Sequence, residues 1–524
     1  MQTKTMRILC ALLAALILTS CAGGTEKETT GDTTADTAAQ TEAETEPDPA
    51  AARRALSDDL PDTDMDGYTY RVLSRQRDDF VNDIGLDLEQ NGDVVNDAIY
   101  SRNLTVTERF NCKMDATFTD NIDATGINTI TAGDDAYDIM FWQIVQIPKY
   151  ATTGYFRDWY EDLPHVHLDK PWYIGNAAEA LSVKGHAYAM IGEYDLDVLR
   201  FTYCMYYNQD IANEYNLEDI YDVVDSGRWT YDKMYEYANM VYVDLDGNGA
   251  KDENDRLGLS GDPYSAVVTY QYAFDNPLFT IDDEGVPKFT MDREKLASIV
   301  EKLNALYHGS LGGYTEGWGT GWTAWSAGNL LLYTGLFQSA TGYRDLEFDY
   351  GIIPYPKYDE AQTRYYTMSD GAHGCMLIPI TVQNIEWSSM LTEALNAETY
   401  KQVVPAYFDT ALKVKLSRDA ESAAMLDLLM DVRVFDFGYM YNTGIAFIIQ
   451  DMVSKNTNNT ESSFNSKIGA AEKQWAKIID TYLELAEAKD CLLYTSSWLA
   501  SQRTIGARVK ASAACGANTV LPSG

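Results

Sequence analysis

The chain has 524 residues, with 40 Lys and Arg against 79 Asp and Glu, a formal charge of −39. That balance excludes a nucleic-acid binder that works by neutralising phosphates, and it excludes adhesion to anionic lipid through a basic patch. At 46% hydrophobic and 23% charged residues the composition is that of a globular protein, long enough for roughly two to four domains or two large lobes.

The N-terminus reads as an address. Lys4 and Arg7 precede the apolar run Ile8–Ile17, which has the proportions of a signal-peptide h-region and is too short to span a bilayer. Leu18-Thr19-Ser20-Cys21 follows directly and resembles the bacterial lipobox. That resemblance implies a lipoprotein signal peptide over 1–21 and a lipid-modified Cys21, so that the membrane is reached through the anchor only. Residues 22–60 are Thr, Ala, Glu, Asp and Pro with almost no aliphatics, a composition expected to stay disordered. As a loose tether its ends would average roughly 35 Å apart. Beyond Cys10 and Cys21, the remaining cysteines are Cys112, Cys204, Cys375, Cys491 and Cys515. They show no CxxC and no paired spacing, so they predict buried small side chains rather than a disulfide framework or a zinc site.

The body alternates strand and helix signals. Tyr68–Ser74 reads as a strand after the Asp66-Gly67 turn, and Val94–Phe110 has helical spacing through Val95, Ile99, Leu104 and Phe110. Ala136–Ile144 and Ala187–Ile191 read as further strands, followed by the Tyr-rich run Phe201–Asn208. Leu217–Val224 predicts a helix with Asn216 as its cap, and Thr230 is placed to cap the next. Phe348–Ile353 and Cys375–Ile378 are later strands, with helices over most of Ser388–Met430 and Ala470–Ala488. The alternation predicts an α/β protein with a mostly parallel sheet.

Residues 244–255 carry the sharpest local chemistry. Asp244, Asp246, Asn248, Asp252 and Asp255 stand at loop positions 1, 3, 5, 9 and 12, with Gly249 at the sharp turn and the Ala250 carbonyl at position 7. This is the spacing of an EF-hand loop, which surrounds Ca²⁺ with hard oxygens, and a structural calcium ion is expected. Position 12 is Asp rather than Glu, and position 8 is Lys251, where an apolar residue is usual.

No P-loop, HExxH, GxSxG or GxGxxG motif is present. His165 and His167 read as loop residues, and His373 lies between glycines before an apolar strand. Tyr314, Trp318, Trp322 and Trp325 cluster in the Gly-rich stretch 312–328, and the three tryptophans have helical spacing on one face. Flat aromatic faces can stack on sugar rings, and packing is the competing role.

Several stretches, taken in order, carry a resemblance. They are GDVVNDAIYSRN (92–103), GDDAYDIMFWQ (133–143), LPHVHLDKPWY (163–173), SGRWTYDKM (226–234), DLDGNGAKDENDRLGL (244–259), AGNLLLYTG (327–335) and FDYGIIPYPKYDEAQTRYY (348–366). Over about 65–490 the chain resembles the extracellular solute-binding proteins, family 1 and sugar-type, of bacterial ABC importers. The resemblance implies a two-lobed α/β fold of periplasmic-binding-protein type II, hinged between lobes. It places lobe 1 at 66–193 plus 374–405 and lobe 2, with the calcium loop, at 194–373 plus 406–490. It implies a carbohydrate ligand, ABC permease subunits as partners, no enzymatic activity, a monomer and an extracellular, lipid-anchored location. Trp142 and Gln143 then correspond to a stacking ring and its polar neighbour, and Phe337 to a second aromatic. Arg200 lies near the first crossing, Asp370 and His373 flank the second, and Tyr439 stands where an aromatic closes the cleft. Trp318 and Trp322 join them as candidate stacking rings. A secreted carbohydrate-active enzyme, a receptor for a peptide or other small solute, and an adhesin remain alternatives.

From Cys491 onward there is no Asp or Glu, while Arg503, Arg508 and Lys510 occur. This breaks the pattern of the chain, and residues 491–524 read as a non-native tail left by a frameshift or assembly scar, with a genuine basic tail as the alternative.

Overall fold

The computed structural model describes residues 49–86 and 88–505, with side chains over 50–86 and 88–487. Cys21, the signal segment, residues 22–48 and Cys515 therefore lie outside the described residues, and Cys491 is described in backbone only. Contacts divide the chain into two units, Met1–Ala52 and Arg53–Gly524. The described part of the first is the start of a helix, Pro49–Arg54, and both large sheets belong to the second.

Nine strands build those sheets: β1 (Thr69–Arg75), β2 (Lys113–Thr119), β3 (Ile139–Gln143), β4 (Tyr203–Asn208), β5 (Leu257–Ser260), β6 (Gly313–Tyr314), β7 (Leu330–Leu336), β8 (Tyr350–Ile353) and β9 (Gly374–Leu377). The first sheet has the order β9-β3-β1-β2 and the second β8-β4-β7-β5-β6. In the first, β1 pairs parallel with β2 and β3, and only β9 runs against β3, with Cys375 opposite Trp142. In the second, β4 is antiparallel to both β8 and β7, while β5 is parallel to β7 and β6. The expectation of a mostly parallel sheet is thus corrected to two mixed sheets. The reason is that β4 and β9 each enter a sheet directly from a crossing segment, without the helical crossover that parallel pairing requires.

Burial explains the strands. Tyr70, Val72, Ile139, Phe141 and Met376 alternate onto one face of the first sheet, where Met390, Leu391 and Leu395 of the helix Ile385–Glu398 cover them. Cys204, Tyr206, Leu330, Tyr350 and Ile352 do the same in the second, against Trp325, Leu426 and Leu429. Cys112, Cys204 and Cys375 are buried and free, as expected of small apolar side chains.

Val94–Phe110 forms the helix that its spacing predicted, capped by Asp93, whose side chain accepts from Val95 and Asn96 N–H. Thr230 caps Tyr231–Met240, accepting from Lys233 N–H. Three expectations change. Ala187–Ile191 is not a strand and makes only a single bridge, Met190 to Met376. Asp219, rather than Asn216, caps the helix Ile220–Asp225; Asn216 sits at φ 50° in the turn before it. Within the stretch 22–60 expected to be disordered, Asp58 is buried against Arg109 and Leu60 packs with Met65 and Phe110, so its last described residues are part of the folded body. At the other end the helix Thr460–Ile505 runs past 490 without interruption, so no backbone break marks the change in composition. Among the described residues no helix is long and apolar enough to cross a membrane.

Candidate functional site

The carboxyl ends of β1 and β3 and the amino end of β4 meet at the segment Asp370–His373, which enters β9. β1 ends in Arg75 and β3 in Trp142-Gln143. Arg75 Nη1 donates to the Ala372 carbonyl at 3.3 Å, and its guanidinium lies over the rings of Phe80 and Trp142. Ile144 and Val145 N–H donate to the His373 and Gly371 carbonyls at 3.0 and 3.4 Å. From the second sheet, the hydroxyl of Tyr203 at the start of β4 donates to Asp370 Oδ2 at 2.9 Å. Gly371 N–H donates to the Tyr439 hydroxyl at 2.9 Å. A Cβ at Gly371 would collide with Val145 and press on that hydroxyl, so only glycine lets these groups close in. A ligand beyond the strand ends would face this segment, which is where open α/β folds bind.

Polar and aromatic groups alternate around it. Asp370 is half-buried, with Oδ1 accepting from Ala372 N–H. Asp262, just past β5, is also half-buried, and burial chiefly, with the nearby charge of Asp370, pushes its carboxyl up to about 6. Tyr264 follows and stacks on Trp318 with centroids 5.1 Å apart and planes at 26°. Trp318 is 76% exposed, which leaves the outer face of that pair open. Trp142 is nearly buried, its Nε1 donating to Gln146 Oε1 at 2.6 Å. Gln143 is half-buried; with its amide oxygen turned to Arg75, it accepts from Nη1 and Nη2 at 2.9 and 2.6 Å.

The structure does not bring every expected residue here. Phe337 is wholly buried against Phe408, in the core of the second sheet, and presents no face to a ligand. His373 is 1% exposed, and its Nδ1–H donates to the Gly374 carbonyl at 2.9 Å. Burial, above all, pushes its imidazole down to about 4, so it stays neutral. Arg200 is committed elsewhere: Nη2 lies 2.6 Å from Asp83 Oδ1 and Nη1 3.8 Å from Asp197 Oδ1. The three tryptophans do not share a helix face, because the helix begins only at Trp322, after Gly321 at φ 84°. Trp322 stacks on Tyr343 and is 43% exposed, whereas Trp325 is buried. Arg75, Tyr203, Asp262 and Tyr264 were not singled out in the sequence. Of these only Asp262 carries a local signal, standing in Gly261-Asp262-Pro263 directly after a short apolar strand.

The loop 244–255 folds as its spacing requires. A bridge between Val243 and Arg256 closes its base. Gly247 and Gly249 take φ of 70° and 74° and donate to the Asp244 carboxylate at 2.7 and 3.0 Å. Asp244, Asp246 and Asp255 each bring an oxygen within 4.8 Å of the other two. Asp255 is wholly buried. Asn248 lies inside the loop, donating to Asp246 at 2.8 Å, while Asp252 accepts from Asn254. Ala250 N–H donates to Asn248 Oδ1 at 2.6 Å. Hard oxygens in this arrangement fit a calcium ion. The departure at position 8 has a physical reason: Lys251 Nζ donates to the carbonyls of Ser310, at 2.8 Å, and Gly313, pinning the loop to the strand entry. Glu253 accepts from Gly321 and Thr323 N–H at 2.8 and 3.0 Å, which ties the loop to the segment that carries Trp318 and Trp322.

No family model matches this chain, and no curated protein matches it in sequence. Solved structures do. UspC of M. tuberculosis matches at 14% identity with a TM-score of 0.50, over 78% of this chain and 100% of that one. The GacH receptor of Streptomyces glaucescens, solved unliganded and with acarbose, matches at 14% identity and a TM-score of 0.48, over 80% and 98%. Lmo0181 of Listeria monocytogenes, an ABC substrate-binding protein solved with cycloalternan, matches at 12% and 0.48, over 77% and 100%. At these identities the likeness is one of fold alone, a mixed α/β fold built on two sheets.

Proposed function

We propose that this chain is an extracellular receptor that captures a carbohydrate, in the first place an oligosaccharide, for an ABC importer by closing its lobes on the sugar. The observation that carries the reading is the convergence of both sheets on Asp370–His373, with the open Tyr264–Trp318 pair and two half-buried carboxylates beside it. Sugars need flat apolar faces together with a few convergent polar groups, and this edge supplies both. Calcium belongs to the proposal as a structural ion in the loop 244–255, stiffening the segment that presents Trp318. Anchoring through Cys21, a monomeric state and hand-over to permease subunits complete the reading. It needs no catalytic group.

Thermal unfolding in calcium against a panel of oligosaccharides tests it. A ligand at about 100 times its Kd adds roughly 2.7 kcal/mol. A selective shift by one sugar class is the expected result. A folded protein that no sugar shifts points instead to a peptide or other solute, or to an adhesin.

One observation favours a second reading, a carbohydrate-active enzyme. Burial beside Asp370 pushes Asp262 up to about 6, and a carboxyl raised in this way is suited to act as a general acid. Release of reducing ends from a bound oligosaccharide, lost in Asp262→Asn, would establish it; binding without turnover rules it out.

A further inference from the structure

Between the first sheet and β4 the chain crosses through Glu193-Tyr194-Asp195-Leu196-Asp197, and three acids meet there. Asp83, in the helix Asp78–Ile84, and Asp195 and Asp197, in the crossing, are 1%, 5% and 0% exposed. One carboxylate oxygen from each lies within 4.8 Å of the other two. A calcium ion with ligands at about 2.4 Å sets trans oxygens about 4.8 Å apart, so one ion can reach all three.

Their hydrogen bonds do not account for the oxygens they bury. Asp83 is the best partnered of the three: Oδ2 accepts from Leu196 N–H at 3.1 Å and from Arg200 Nη1 at 2.8 Å, while Oδ1 receives no hydrogen bond and is held by the ion pair with Arg200 Nη2 at 2.6 Å. Asp195 Oδ1 accepts from Asp197 N–H at 2.8 Å, but Oδ2 has no donor. Neither oxygen of Asp197 receives a hydrogen bond, and Arg200 Nη1 stands 3.8 Å from Oδ1. The other cations near the cluster donate elsewhere. Arg102 is spent on the carbonyls of Asp83, Ile84 and Tyr194, Arg75 on Ala372, and Arg77 on Asp79. A carboxylate removed from water without donors is costly, and the remedies are a proton or a cation.

We propose that Asp83, Asp195 and Asp197 form a buried site for a hard divalent cation of the calcium class, separate from the loop 244–255. The unfilled oxygens of Asp195 and Asp197 are its open ligands, and Arg200 holds Asp83 in place beside them. The ion would fasten the crossing to the helix at the end of β1, at the joint between the sheets.

Two measurements on the full chain test this. Equilibrium dialysis with radiocalcium compares the parent with Asp197→Asn, Asp195→Asn and the loop double variant Asp244→Asn/Asp246→Asn. The crossing variants should each lose about one equivalent, and the loop variant should keep about one. Circular dichroism reports whether each variant is folded. Crystals of the unmutated chain grown with Mn²⁺ should give an anomalous peak among the three carboxylates, which decides the matter if the variants misfold. Unchanged stoichiometry in folded Asp197→Asn, a loop variant that binds no calcium, or the absence of that peak overturns the site and leaves protons as the occupants.

Discussion

Tyr203 and Asp370 are joined by a hydrogen bond of 2.9 Å that links the first residue of β4 to the segment entering β9. It couples the second sheet to the chain that returns to the first. The Tyr203 ring is buried, packed edge-on against Tyr355, so the hydroxyl is held in place rather than free to swing. Tyr203→Phe keeps that packing and removes the donor to a charged acceptor, an interaction worth about 1.5–3 kcal/mol. Ligand affinity measured by calorimetry should fall roughly tenfold or more, with a smaller loss of melting temperature. Unchanged affinity would remove Asp370 from the ligand site.

Trp318 and Trp325 separate recognition from packing. Trp318 is exposed and stacked only on Tyr264, so Trp318→Ala should leave stability within about 0.5 kcal/mol. It should weaken sugar binding by about 0.5–1.5 kcal/mol, the worth of one aromatic face. Trp325→Ala empties a site in the core of the second sheet and should cost about 3–5 kcal/mol in denaturant unfolding. Equal stability losses in the two variants would contradict the assignment.

Calcium should stabilise the chain through the loop. Chelation is expected to lower the melting temperature, and Asp244→Asn should remove most of that response. Lys251→Met tests the other anchor: it leaves the carbonyls of Ser310 and Gly313 without their donor. It should destabilise the loop by about 1–3 kcal/mol without removing a calcium ligand. A melting temperature indifferent to chelator would set the loop down as a solvated acidic turn.

Glu393 makes stability depend on pH. It is fully buried, accepts from Trp172 Nε1 at 3.0 Å and Tyr173 hydroxyl at 2.8 Å, and has His167 Nδ1 at 3.3 Å. Burial pushes its carboxyl up to about 7. The folded state therefore keeps this proton up to about pH 7, whereas the unfolded chain releases it near 4.3. The stabilisation is full below the unfolded value and is lost as pH rises through about 7, which is the linkage sign of a raised acid. Glu393→Gln imitates the protonated form and should flatten the fall in stability between about pH 4 and 7. His373, held down to about 4, works in the opposite direction, losing stability as pH drops from about 6.5. A Glu393→Gln profile parallel to the parent would exclude the carboxyl as a source.

The local signals in the sequence were those whose physics is local. The helix Val94–Phe110, the Thr230 cap and the turns of the loop 244–255 depend on spacings of a few residues, because a cap or a tight turn is satisfied by its own neighbours. The order of strands and helices pointed to an α/β fold, and the structure has one, in two mixed sheets. The access of side chains was decided only by tertiary packing. Phe337 and Trp318 are both aromatics in turns that follow a strand, yet one is sealed against Phe408 and the other open to solvent, since exposure is set by elements distant in the chain. Ala187–Ile191 shows the same limit: a short apolar run reads as a strand, but Met376 offers it a single bridge. The joint at Asp83, Asp195 and Asp197 was invisible for the strongest form of this reason. Among 79 acids nothing in a linear pattern marks the three whose oxygens are buried together, because that burial exists only once the crossing folds against the end of the first strand.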